Sequence, residues 1–74
     1  MSKEDIRILL KNAMNAKRQR AGMEVNRIQL LLTASIRGND LDRLNEVETL
    51  YVEWIDTNPS FVPESLVDEL FSLL

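Results

Sequence analysis

The 74-residue chain contains no cysteine and no histidine. The first absence excludes disulfides and thiolate–zinc modules. The second excludes a histidine-based catalytic triad and imidazole metal ligation. Two glycines and two prolines leave little material for turns. No apolar run is longer than Leu30-Leu31-Leu32, far short of the roughly 18 residues a membrane span needs. The first residues, Met1 to Asp5, show no apolar signal-peptide core. These absences lead to the expectation of a cytoplasmic protein with no membrane role. There is no phosphate-binding glycine loop, and the stretch from Asp40 fails as a calcium loop because Leu44 and Asn45 stand where a ligand and a glycine are required.

What is present is globular in composition: 45% hydrophobic and 28% charged residues. The length suits one domain, 1–74, with a small core. A single core of this size supplies only about 3–5 kcal/mol, so tight helix packing or self-association has to support it. The net charge of −3 is unevenly spread. Residues 1–37 hold eight Lys/Arg and three Asp/Glu, whereas 38–74 hold one Arg and nine Asp/Glu. Such a chain can fold its halves together, pair with a copy, or present each half to a different partner.

The patterning is helical throughout, with no alternating strand signal. Ser2 suits an N-cap, with Glu4 and Asp5 in the first turn. From there Ile6, Leu10, Ala13 and Met14 recur at helical spacing. Taken at 100° per residue, the stripe continues through Ala21, Val25, Ile28, Leu31 and Leu32 without a phase jump. Basic residues before Gly22 resemble a helix end, yet the continuous phase favours one long helix over 3–37, straight or kinked at Gly22 and about 50 Å long. Gly38 marks the next break, and Asn39 or Asp40 suits an N-cap. A second helix is expected over 41–56, with a broad apolar arc opposite Asp42, Glu46, Glu53 and Asp56. Pro59 and Pro63 define an extended connector, and Pro63 suits the first position of a last helix over 63–73. The fold class expected is therefore all-α: a long N-terminal helix and two shorter ones in a small bundle.

Nucleophilic catalysis needs a nucleophile beside a base. With no His or Cys, and with Lys3, Lys11 and Lys17 on a helix without an evident pocket, no catalytic, metal-binding or cofactor-binding residue is expected. Asp42 and Glu46 have metal-ligand spacing, but they sit on a polar face and read as a solvated acidic surface. Arg7, Lys11 and Arg18 form a basic stripe, with Arg20 nearby, that could track phosphates. The same residues could equally answer the acidic half of the chain. A recognition helix over 41–56 is excluded by its own acids.

Self-association has more support. Two copies of the long helix, antiparallel about residue 20 or 21, bring Leu10 opposite Leu31, Met14 opposite Ile28 and Lys17 opposite Glu24, with Ala21 near the centre of the seam. Trp54 reads as core before contact residue. Glu48 lies inside the apolar arc and needs a cationic partner or an interface. Phe71 and the leucines after it cap the core or form a docking tail. The leading reading is a small non-catalytic regulator, inhibitor or adaptor, dimeric, that binds another protein through Asp42, Glu46, Glu53, Asp56, Trp54 and Phe71. The alternatives are a dimeric nucleic-acid-binding protein using the basic stripe, and a structural assembly subunit.

Overall fold

Ser2 starts the first helix as its chemistry allows. Its hydroxyl accepts the Asp5 N–H at 3.1 Å, and its own N–H donates back to the Asp5 carboxylate at 3.1 Å. This reciprocal capping box satisfies two otherwise orphaned donors, and the Ser2 N–H holds the Asp5 carboxyl below its usual range. The computed structural model describes residues 1–74 as four helices: α1 (Lys3–Arg18), α2 (Gly22–Ala34), α3 (Leu41–Ile55) and α4 (Glu64–Leu73). There is no strand.

The single long helix over 3–37 is therefore corrected to two helices. The long axis of the whole molecule is 33 Å, too short for a 50 Å rod. The break lies earlier than Gly22. The Arg20 N–H donates to the Lys17 carbonyl at 3.1 Å and the Ala21 N–H to the Ala16 carbonyl at 2.8 Å, which together close a Schellman motif. Its left-handed position, usually glycine, is Arg20, with φ of 58°. Gly22 is the first residue of α2. The helix also ends before residue 37: α2 stops at Ala34, and Gly38, with φ of 70°, lies inside the connector to α3.

The later elements sit close to expectation. Asp40 caps α3, its carboxylate accepting the N–H groups of Asp42 at 3.1 Å and Arg43 at 3.2 Å. Asp56 is the C-cap of α3 rather than its last residue. Pro63 stands at the N-cap of α4, with an extended ψ of 132°, so that helix begins at Glu64.

Each helix gives one face to a common core. Ile6, Leu10 and Ala13 come from α1, Ile28 and Leu32 from α2, Val47, Tyr51 and Ile55 from α3, and Leu66, Val67 and Leu70 from α4. Helices adjacent in sequence are adjacent in space, α4 closes back on α1, and α2 and α4 stay apart. One polar group enters this core productively. The Tyr51 hydroxyl donates to the Val25 carbonyl at 2.8 Å and ties α3 to α2. Burial, reinforced by the negative charge of Glu24, pushes the Tyr51 phenol up to about 12.

Candidate functional site

The uneven charge of the sequence is partly answered in the fold, where three of the eight basic residues of 1–37 reach acids of 38–74. The Arg7 guanidinium forks onto both carboxylate oxygens of Glu64 and also reaches Glu4 at 3.2 Å. Lys3 pairs with Asp68 at 3.0 Å, and Lys17 stands 3.9 Å from Asp56. The basic face of α1 thus meets acids of the C-terminal half. Arg7 holds the Glu64 carboxyl below its usual range, while Glu64 in turn raises Arg7. All these pairs are partly solvated, so solvent screens them and they contribute little to stability. They mark the side of α4 that faces α1.

The opposite side of α4 faces α3, and there the acids have no cation. Glu46 and Glu53 lie seven residues apart on α3, two helical turns along one stripe. Glu69 lies on α4. None of the three takes part in an ion pair. They rim two adjoining hollows that share Leu50 and Glu69 and together make an open groove, in which Leu50, Trp54, Leu66 and Leu73 lie among the polar side chains of Asn45, Thr49, Ser65 and Ser72. The reason is compositional: Arg43 is the only basic residue after position 37, and it turns back to Asp40 at 3.4 Å. Lys3 and Arg7 are engaged on the far side of α4. Trp54 packs against Tyr51 at a ring separation of 6.4 Å. Its Nε1 is the one buried side-chain polar atom without a hydrogen-bond partner. No three Asp or Glu residues converge closely enough to hold a metal ion.

No family model matches the chain, and no curated protein or solved structure matches it either.

Of the six residues expected to bind a partner, the groove gathers three: Glu46, Glu53 and Trp54. Asp42 is exposed in the first turn of α3. Asp56 lies beyond α3 beside Lys17. Phe71 is exposed on α4, with the Lys3 ammonium 5.4 Å from its ring centre. It belongs with the α1 side, a cation–π contact rather than a groove residue. Leu73 and Leu74, by contrast, pack partly against the core. Glu69, Leu50, Leu66 and Leu73 were missed. A helical wheel of α4 sets Glu69 about 100° from Asp68, but nothing in the sequence says which of the two faces α1.

The antiparallel seam between two long helices is dismantled by the turn. Leu10 and Ile28 are buried in the core of the single chain, as is most of Met14. Ala21 is the N-cap of α2. Glu24 pairs with Arg27 at 2.8 Å rather than with Lys17, and Leu31 remains 39% exposed. A hairpin turning near residue 20 pairs i with roughly 41 − i, the same pairing that two antiparallel helices crossing at residue 20 would make. Of that complementarity the single chain keeps the apolar part, burying Leu10, Met14 and Ile28, while Lys17 and Glu24 turn to Asp56 and Arg27 and Leu31 stays partly exposed.

The basic stripe is also changed. Arg7 is occupied by two carboxylates, while Lys11, Arg18 and Arg20 are exposed and form no ion pair. Glu48, expected to find an arginine of the first helix, forms no ion pair either and is half-exposed. Solvent at the edge of the bundle can meet its charge without a partner. No helix is long and apolar enough to cross a membrane.

Proposed function

We propose that this chain is a non-catalytic protein-interaction module that binds a basic, amphipathic helical segment of another protein in the α3–α4 groove. The observation that carries the reading is the set of three carboxylates, Glu46, Glu53 and Glu69, left without cations around a groove of mixed apolar and polar lining. Two antiparallel helices offer a trough that a third helix fills by ridge-into-groove packing. Leu50, Leu66 and Leu73 would take its apolar face, and the carboxylates would meet lysines or arginines flanking that face. Charge complementarity of this kind sets register and association rate more than affinity.

The chain carries its own reporter, since Trp54 is the only tryptophan and lines the groove. Titration with a synthetic leucine–lysine amphipathic peptide is expected to shift Trp54 emission, with affinity falling as salt rises. Glu46→Gln/Glu69→Gln is expected to weaken binding about tenfold. The same charge change away from the groove, Glu4→Gln/Glu24→Gln on α1 and α2, should leave it within about twofold. Equal losses from both pairs, or unchanged Trp54 emission at saturation, would reduce the interaction to diffuse charge attraction and overturn the groove reading.

A further inference from the structure

The turn between α1 and α2 has an unusual property: straight helix and tight hairpin are both encoded by the same residues. The apolar stripe of α1 runs on in phase into α2. Gln19, Arg20 and Ala21 contain no proline and no β-branched side chain, and all three are good to fair helix formers. Gly22 adopts no positive φ, and a Cβ there would meet nothing within 4 Å. No feature of the turn requires the chain to reverse.

The reversal itself carries two local penalties. Arg20 holds a left-handed conformation that side chains other than Gly and Asn rarely adopt. The start of α2 has no side-chain cap, and the Gly22 and Met23 N–H groups have no intramolecular acceptor. In a straight helix the carbonyls of Arg18 and Gln19 would accept them. Short, strained hinges of this kind favour exchange of elements between copies.

We infer that residues 19–21 are a hinge through which two copies of the chain exchange α1, so that the closed monomer coexists with an α1-exchanged dimer built from the same core. Because a hairpin and an antiparallel helix pair centred on residue 20 set the same residues opposite each other, exchange re-forms every α1 contact with the second copy. The Arg7–Glu64 and Lys3–Asp68 pairs then link one chain to the other. The occupant of the α1 site is thus a second copy of α1. The inference is independent of the groove reading, since both partners in that groove, α3 and α4, lie on one side of the hinge.

Refolding the chain from denaturant at millimolar concentration, followed by size exclusion with light scattering, should give a dimer of about 17 kDa beside the 8.5 kDa chain. Arg20→Gly relieves the left-handed residue and disfavours the straight helix. It should weaken the dimer roughly tenfold per chain, hence about a hundredfold overall. Gly22→Ala should strengthen it several-fold. A second arm separates exchange from surface pairing. Arg7→Glu and Glu64→Arg each place like charges together in the monomer and in their own exchanged dimers. Mixed and refolded together, they restore two opposite-charge contacts only in an exchanged heterodimer, which should dominate over both homodimers. The inference is overturned if neither the wild type nor Gly22→Ala dimerises, if the dimer is indifferent to Arg20→Gly, or if the mixture shows no preference for the heterodimer.

Discussion

Tyr51 is the residue at which burial, hydrogen bonding and titration meet. Its ring is almost fully buried, yet its hydroxyl reaches a backbone carbonyl on another helix. Tyr51→Phe should cost about 1 kcal/mol, the net worth of a buried neutral hydrogen bond, measured by urea unfolding. The phenol also imposes a pH dependence of known sign. Its folded pKa of about 12 lies above the unfolded value near 10. The unfolded chain therefore loses the proton first. The stabilisation is present in full below about pH 10 and is lost as pH rises toward 12. Tyr51→Phe should flatten that alkaline decline relative to the wild type, and an unchanged decline would remove Tyr51 as its cause. The acids Asp5, Glu24 and Glu64, each held below its usual range by hydrogen bonds, have the opposite sign. Their contribution is present above about pH 4.5 and fades on acidification.

At the scale of the element, helix ends decide which stretches of sequence become separate helices. Asp40 accepts two N–H groups at the start of α3, so Asp40→Ala should cost about 1 kcal/mol. The readout is a lower thermal midpoint by circular dichroism. Ser2→Ala should cost a similar amount at α1, since it removes one side of the capping box. Asp40, Gly38 and the two prolines made α3 and α4 legible in the sequence to within a residue or two, because each of these residue types has a backbone or capping chemistry of its own. The α1–α2 turn was not legible for the converse reason. Its left-handed residue is an arginine, and the apolar phase crosses the turn unbroken. Gly22, the obvious breaker, belongs to the helix that follows. Periodicity reports which residues are buried, but a hairpin and a straight pair bury the same ones.

At the scale of the whole molecule, eleven buried side chains from four helices form one cluster, and the chain has no disulfide to support it. Leu10 is fully buried at its centre. Leu10→Ala should cost about 2–5 kcal/mol, comparable with the whole stability of a domain this small. The variant is expected to be largely unfolded at room temperature by circular dichroism. A cooperative melt close to that of the wild type would show that the core is larger than one chain, as an obligate dimer would make it. The candidate groove is also a property of the whole molecule. Its three carboxylates have no cation because Lys3 and Arg7, the α1 cations that reach α4, pair on its other face.

The sequence by itself determined the helical class, the lack of cysteine and histidine, the N-caps of α1 and α3, and most of the apolar positions that the core buries. These follow from local chemistry and from a 3.6-residue period that any single stretch displays. Tertiary structure alone decided where the first helix divides, which acids are paired and which are left to line a groove. Those outcomes depend on contacts such as Arg7 with Glu64, 57 residues apart. Whether a charge is neutralised is set by what folds against it, and a one-dimensional pattern carries no term for that.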